Sequence, residues 1–294
     1  MTGIVLISPG LMGTAVGRAL LCRGHVVYCA LSRRSDATRR RAGQSGFICC
    51  DSLGEAIGKS EIALSLVPPG QALNVARRFA DHVAGLPAAP IFVDCNSISP
   101  PTARAIGRII ADVGAAAVDC GIFGPADKIG PENVIVVNGT EARAIASLFA
   151  DLVEVKIAHG AFGGASAVKM AMSIITKALP ALFLEATCAS AASGQLDLMV
   201  GLFERLYPGI MSFISRSLPT YPRHVARRVD EMHEIEIWLR DLGLSGAMTH
   251  SARQNLDRLR DAELSAERKW DLIALLDAVA RHGVLAAERE GAVA

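Results

Sequence analysis

The sequence predicts an α/β protein in which a doubly wound, mainly parallel β-sheet domain is followed by an all-α domain. Up to about residue 158, helix-like segments alternate with six short apolar runs: GIVLIS, HVVYCALS, EIALSLV, PIFVDCN, AAAVDC and NVIVVNG. Continuous apolar runs are typical of strands buried on both faces, as in parallel sheets covered by helices. From about Ala165 the strand signal ends and the pattern becomes helical. We therefore predict a sheet domain over residues 1–160 and a helical domain over residues 161–294.

Local signals indicate where individual helices begin. Ser52 and Glu55 have the spacing of a capping box, and Thr140 precedes an alanine-rich turn. A long helix is predicted over about residues 165–193, with shorter helices after it. Proline and glycine separate these later helices.

The composition argues against several classes of protein. A formal net charge of +1 over 294 residues lacks the broad excess of one sign that nucleic-acid or membrane-surface proteins carry. The seven cysteines form no CxxC pair and no Cys/His spacing of a zinc site, and most lie in apolar runs. We expect no nucleic-acid partner and no structural metal.

The sequence also indicates a cytoplasmic location. The first residues, MTGIVLIS, lack the charged start and long apolar core of a signal peptide. The apolar stretch over residues 170–192 is long enough to cross a bilayer, but Lys177, Pro180 and Glu185 interrupt it. We therefore expect a buried helix in a soluble protein without membrane contact.

The turn after the first strand predicts dinucleotide binding. In SPGLMG, Gly10 and Gly13 take the second and third positions of the Gly-x-Gly-x-x-Gly fingerprint of Rossmann domains, and Ser8 takes the first. The second glycine lets backbone N–H groups approach a pyrophosphate at the helix N-terminus, and the third permits close helix–strand packing. An ordinary strand-to-helix loop is the alternative. We predict that Leu11 and Met12 bind the cofactor together with these three residues.

The end of the second strand predicts NADP as the cofactor. NAD-preferring sites place an acid there, but this strand ends in Ala-Leu-Ser, and Asp36 comes only later. Ser32, Arg33 and Arg34 occupy the position of a 2′-phosphate, to which arginine donates charge-assisted, forked hydrogen bonds. The arginines at positions 39–41 fit a solvated helix face.

Four motifs in order resemble the β-hydroxyacid dehydrogenase superfamily, which includes 3-hydroxyisobutyrate and 6-phosphogluconate dehydrogenases. They are GLMG (10–13), SLVPPG (65–70), DCNSISP (94–100) and GAFGGASAVKM (160–170). The resemblance implies that Val67 and Pro68 lie in a loop over the nicotinamide, and that Asn96 contributes to cofactor binding. It also places the catalytic lysine at Lys169. The segment RRVDEMHEIEIWL (227–239) is similar to the helical domain of phosphogluconate-dehydrogenase-like proteins.

The substrate segment departs from the family pattern. DCGIFGP (119–125) stands where the superfamily has Asp-x-Pro-Val-Ser-Gly-Gly, so that Phe123 replaces the serine and Gly124 follows it. Phenylalanine has no hydroxyl for a carboxylate, which argues against a small 3-hydroxy acid held in the usual way. Ser173 replaces the asparagine expected four residues after the lysine.

These residues suggest how the reaction proceeds. Lys169 would act as general base in oxidation and general acid in reduction. A lysine has an ordinary pKa of about 10.4, and burial, the oxidised nicotinamide or a neighbouring Lys177 would lower it. Ser173 and Lys177 lie one and two turns after Lys169 on the same helix face and are predicted to contact the substrate. Asn96 and Ser97 could bind the nicotinamide amide or the substrate hydroxyl, or could cap the strand end.

Two further groups carry weaker expectations. His233 lies among three glutamates but lacks a metal-ligand spacing, so no metal is predicted. Arg227 and Arg228 could reach an anionic substrate, although arginines at helical spacing are commonly solvated.

The sequence thus predicts an NADP-dependent oxidoreductase acting on a small hydroxy-acid-like molecule. Imine reduction is an alternative within the superfamily, and Lys169 argues against it. A non-catalytic NADP-binding module is another. The long apolar helix predicts a homodimer joined through the helical domains.

Overall fold

The computed structural model describes residues 1–32, 35–262, 264–266 and 268–285. It divides into two compact units, Met1–Ala171 and Met172–Ala294. The first unit contains a mainly parallel sheet with helices on both faces, and the described part of the second is helical. The predicted fold class is therefore confirmed.

The sheet has eight strands in the order β3-β2-β1-β4-β5-β6-β7-β8 over the described residues. Neighbouring strands are parallel except for the β6–β7 pair, which is antiparallel. The strands are β1 (Gly3–Ile7), β2 (Val26–Ala30), β3 (Ile48–Cys50), β4 (Ile62–Ser65), β5 (Ile91–Asp94), β6 (Ala117–Phe123), β7 (Val134–Asn138) and β8 (Glu154–Ile157). The short edge strands β3 and β8 are absent from the sequence prediction, because neither is a buried apolar run.

Six helices cover the two faces of the sheet: α1 (Leu11–Cys22), α2 (Asp36–Gly43), α3 (Leu53–Gly58), α4 (Ala72–Val83), α5 (Pro100–Asp112) and α6 (Ala142–Phe149). One buried cluster lies beneath α1 and α6 and includes Leu6, Val16 and Phe149. A second lies beneath α4 and α5 and includes Phe79 and Phe92. Each face of the sheet thus has its own core, as a doubly wound sheet requires.

The remaining helices are α7 (Gly164–Ala192), α8 (Leu196–Leu206), α9 (Pro208–Ser217), α10 (Tyr221–Asp241), α11 (Ala247–Asp261) and α12 (Leu272–Arg281). α7 is long and apolar enough to cross a membrane, although the core helix of a soluble protein also meets this test. It carries Lys177, which is 8% exposed and forms an ion pair with Glu231 of α10. This ion pair indicates that α7 packs against α10 within the helical domain.

Ser52 caps α3 as the capping box predicts. Its hydroxyl accepts a hydrogen bond from the backbone N–H of Glu55, and the Glu55 carboxylate accepts one from the N–H of Asp51. Local side chains thus satisfy one unpaired N–H group of the first helical turn, that of Glu55, and the N–H of Asp51 just before the helix.

Candidate cofactor and catalytic site

The turn between β1 and α1 has the backbone geometry of a phosphate-binding loop. Ser8 adopts a φ of 75°, and it is the one non-glycine residue with positive φ among the described residues. A Cβ added to Gly13 would lie 2.8 Å from the Ser8 carbonyl oxygen, whereas one added to Gly10 would meet nothing within 4 Å. Gly13 therefore permits close helix–strand packing, and Gly10 leaves open space beside the helix start. Both glycine roles match the fingerprint.

The N-terminus of α1 is available to an anion. No side chain caps this helix at Gly10, and its first turn contains no acidic residue. Leu11 is 52% exposed and Met12 is half-buried. The backbone N–H groups of a helix start, together with its positive dipole end, form a suitable site for a pyrophosphate.

A cavity of about 440 Å³ opens beside this turn at the end of β2. The described polar residues that line it are Ser8, Ser32, Ser52, Arg78 and His82, and none of them is acidic. Arg33 and Arg34, which sequence reasoning assigned to the 2′-phosphate, lie outside the described residues.

Arg78 and His82 were missed by the sequence analysis. Both lie on α4, which follows a different strand, and the fold brings them to the end of β2. Their spacing of one helical turn places them on one face of α4, but the sequence alone does not say that this face borders the cavity.

A hydrogen-bonded network joins the ends of β4 and β5. The Asn96 side chain accepts a hydrogen bond from the Val67 backbone N–H at 2.6 Å and donates one to the Ser65 hydroxyl at 3.0 Å. Pro68 continues the loop after Val67, and half-buried Ser97 follows Asn96. The Asn96 side chain therefore holds the loop that, according to the superfamily resemblance, lies over the nicotinamide.

The start of α7 is anchored on two neighbouring strands. The Asp119 carboxylate accepts hydrogen bonds from the Ser166 backbone N–H at 2.8 Å and its hydroxyl at 2.6 Å. The Asn138 side chain accepts one from the Gly164 N–H at 3.1 Å. These bonds satisfy N–H groups that have no partner within the helix. They also fix the helix turn that leads to Lys169.

Lys169 lies at the carboxyl end of β6. Its Nζ donates to the Ile122 carbonyl oxygen at 3.1 Å and lies 6.0 Å from the centre of the Phe123 ring. Gly124 follows with a φ of 106°, where a Cβ would meet the Glu132 carbonyl oxygen at 2.7 Å. Phe123 and Gly124 are therefore held in the first unit close to the amine that the sequence assigns to catalysis.

A buried carboxyl group lies in the same region. Asp94, the last residue of β5, is 1% exposed. Burial raises the pKa of Asp94 to about 7, and the negative charge of Asp119 adds to the increase, while the hydrogen bond from Asn96 and the charge of Lys169 oppose it. Its place in the DCNSISP motif is the one feature of the sequence that points to this group.

Lys177 and Ser173 make a buried cluster in the second unit. The Lys177 Nζ lies 2.9 Å from a Glu231 carboxylate oxygen and donates to the Ser173 hydroxyl at 3.0 Å. Burial lowers the pKa of Lys177, and the Glu231 carboxylate opposes this shift. The amine therefore has a carboxylate partner that the sequence did not reveal, and its contact with substrate stays a prediction.

Arg227 and Arg228 are only partly solvated. Arg227 pairs with Glu231 at 3.1 Å, while Arg228 stacks on the Tyr221 ring at 3.9 Å. His233 lies 3.7 Å from Glu236, a carboxylate that is closer to Arg253 and His250. Each of these side chains thus has a protein partner within the helical unit.

A family model described as the NAD binding domain of 6-phosphogluconate dehydrogenase matches residues 3–155, more than half of the chain. The chain belongs to this family. A second model, a domain of unknown function named DUF1932, matches residues 191–259. The superfamily resemblance is therefore confirmed, and the protein has the nicotinamide-cofactor domain of a dehydrogenase or reductase.

Individual relatives agree with this assignment. An uncharacterized 28.5 kDa protein of Methanothermus fervidus is 28% identical over 214 residues, covering 71% of this chain and 80% of the relative. The 3-hydroxyisobutyrate dehydrogenase of Mycobacterium tuberculosis has a TM-score of 0.71 at 18% identity, covering 95% of this chain and 99% of that one. A reductive aminase of Aspergillus terreus, in complex with NADPH and ethyl levulinate, has a TM-score of 0.59 at 20% identity, covering 94% of this chain and 98% of that one. The family fold thus extends over nearly the whole chain.

Proposed function

We propose that the protein is an NADP-dependent oxidoreductase that acts on the hydroxyl, or the corresponding carbonyl, of a hydroxy-acid-like substrate. The nicotinamide supplies the hydride chemistry. The chain must hold the cofactor, orient the substrate and move one proton. Lys169 is the residue proposed for that last step.

The position of Lys169 is the observation that supports this proposal. Its amine is anchored to the end of β6, and the helix that carries it is tied to Asp119 and Asn138. A proton donor or acceptor must be held in a fixed geometry to contribute to a transition state. In oxidation the unprotonated amine would accept the hydroxyl proton, and in reduction the ammonium would return it.

The proposal of NADP over NAD rests on the lining of the cavity at the end of β2. Its described polar lining consists of serines, an arginine and a histidine, and includes no carboxylate that would accept hydrogen bonds from ribose hydroxyls. A carboxylate there would also repel a 2′-phosphate. The NADPH complex of the Aspergillus terreus reductive aminase is in line with this choice.

The substrate is proposed to be larger or differently held than a small 3-hydroxy acid. Phe123 gives this part of the site an aromatic surface beside the lysine amine. Gly124, Ser97, Ser173 and Lys177 remain proposed substrate contacts.

The protein is also proposed to form a homodimer through its helical domain. Leu198, Leu202 and Leu206, at successive turns of α8, are 59%, 47% and 62% exposed. They line an apolar groove of about 340 Å³ together with Phe203 and Tyr207. Such a stripe is typical of a protein–protein interface. A monomer at micromolar concentration in light scattering would refute this part.

The experiment that tests the function is a panel of hydroxy acids and their oxo forms with NADP or NAD, followed by nicotinamide absorbance. For any substrate that turns over, Lys169→Met should lower kcat about 10²–10⁴-fold, the usual contribution of a positioned acid or base. Its affinity for NADP should stay unchanged, since the lysine is not among the phosphate-binding groups. Lys128→Met, at an exposed lysine, is the matched control.

Two outcomes would redirect the proposal. Turnover by Lys169→Met at a near wild-type rate would remove the lysine from proton transfer. Activity with amines and carbonyls, but none with hydroxy acids, would favour imine reduction. The cofactor choice has its own check: Arg33→Ala with Arg34→Ala should weaken NADP binding much more than NAD binding. Equal losses would mean that these arginines do not contact the 2′-phosphate.

A further inference from the structure

A row of buried polar side chains crosses the sheet beside the proposed site. Ser65 on β4, Asp94 on β5, Asp119 on β6 and Asn138 on β7 are partners in register on consecutive strands. All four are buried, at 0%, 1%, 1% and 4% exposure. Three of them have clear structural roles, since Ser65 binds Asn96 while Asp119 and Asn138 anchor α7.

Asp94 is the member of the row that structure alone does not explain. Its Oδ1 accepts a hydrogen bond from the Asn96 backbone N–H at 2.9 Å. Its Oδ2 is buried and has no hydrogen-bond partner among the described residues. A buried polar atom without a partner costs free energy, and such atoms are uncommon in native proteins. Asparagine would fill the same space and accept the same bond without the charge.

The charged groups around Asp94 belong to two other elements. Asp119 lies beside it on β6, and Lys169 acts on it from α7. Asn96 and Ser65 add only neutral groups. The Ser166 backbone N–H and hydroxyl both donate to Asp119, which favours its ionised form, whereas Oδ2 of Asp94 has no hydrogen-bond partner among the described residues. When the two carboxyl groups hold a single proton, it therefore belongs on Asp94.

We propose that Asp94, which lies in register with the carboxylate that anchors α7 one turn before Lys169, is a positioning residue that acts through Lys169: the charge of its carboxyl group sets whether Lys169 favours its amine or its ammonium form. The inference rests on the proposed role of Lys169. With Asp94 protonated, the ammonium loses a nearby negative charge, and the amine needed to accept a substrate proton becomes easier to form. With Asp94 ionised, the ammonium is stabilised, which suits proton donation to a carbonyl.

The same residue also contacts the cofactor side of the site. Through the Asn96 N–H, Asp94 supports the side chain that holds the Val67 loop. One carboxyl group thus supports this loop through a hydrogen bond and acts on the lysine through its charge. Burial makes the connection strong, because charge interactions are weakly screened away from water.

Competitive labelling of lysines with acetic anhydride tests the proposal without any substrate. The labelling rate of Lys169 is measured by mass spectrometry relative to that of exposed Lys269, at about pH 6 and about pH 8, because an amine reacts only when unprotonated. In Asp94→Asn at about pH 8, the ratio should rise at least about threefold, the change in unprotonated amine that follows when loss of a nearby negative charge lowers the pKa of a lysine by about half a unit. At about pH 6, where Asp94 is largely protonated in the wild type, the two ratios should be much closer.

Asp81→Asn, at an exposed carboxylate on α4, is the matched control and should leave both ratios unchanged. The wild-type protein provides a second measurement that needs no variant: its ratio should fall as the pH rises from about 6 to about 8. A ratio that is flat in the wild type, or equal in Asp94→Asn and wild type at the higher pH, would overturn the coupling. An equal rise at both pH values would also overturn it, because it would reflect a loosened structure. No turnover enters this assay, so its failure and the failure of the proposed reaction can be told apart.

Discussion

Replacing Asp94 by asparagine should change the pH dependence of folding stability in a way that follows from its burial. The carboxyl group is 1% exposed, and burial raises its pKa from 3.8 to about 7. Between these two values the unfolded chain has released the proton while the folded chain still holds it. Each unit of pH increase in this range therefore favours unfolding by about 1.4 kcal/mol.

The rise of about 3 units in the pKa of Asp94 corresponds to about 4 kcal/mol of folding stability. The protein loses this stability as the pH increases from about 4 to about 7. Asp94→Asn has no proton to lose and keeps the acceptor for the Asn96 N–H. The free energy of unfolding of the variant, minus that of the wild type, should therefore increase by up to about 4 kcal/mol from about pH 4 to about pH 8.

Urea denaturation followed by far-ultraviolet circular dichroism measures this difference at each pH. Circular dichroism is the suitable probe because both tryptophans, Trp238 and Trp270, lie in the second unit. Asp81→Asn again serves as the exposed control and should show no such trend. A constant difference between Asp94→Asn and the wild type across this range would refute the reasoning. A difference that decreased with pH would mean that the charge of Lys169 and the hydrogen bond from Asn96 lower the pKa of Asp94 by more than burial raises it.

Two other substitutions test the cofactor turn and the helical domain. Gly13→Ala should destabilise the fold by about 1–3 kcal/mol, because its Cβ would lie 2.8 Å from the Ser8 carbonyl oxygen. Its matched control, Gly10→Ala, should leave thermal stability nearly unchanged but raise the Kd for NADP at least about tenfold, since the methyl enters the open space beside the helix start. Equal thermal stability of the two variants would contradict this argument. Glu231→Gln should lower the free energy of unfolding by about 3–5 kcal/mol, because it leaves the buried Lys177 ammonium without its carboxylate partner. Urea titration measures this change, and an unchanged free energy of unfolding would show that the ion pair does not stabilise the fold.

Much of the fold could be predicted because strong signals are local. Six apolar runs mark the strands that are buried in the sheet, and the capping box at Ser52 marks the start of α3. The strands β3 and β8 lack such a signal, since edge strands are short and need no apolar face on both sides. Their pairing is decided by neighbouring strands, which only the sheet provides.

The sequence by itself determined the glycine turn, the mainly parallel sheet, the helical second domain and the lysine at position 169. Each of these features depends on residue type and on short-range spacing, which can be read directly from the sequence. The tertiary structure alone brought Asp94 and Asp119 into register, placed Arg78 and His82 beside the end of β2, and gave Lys177 a carboxylate partner 54 positions away, from 177 to 231. Such contacts depend on how distant segments pack, and the burial that raises the pKa of Asp94 exists only after packing.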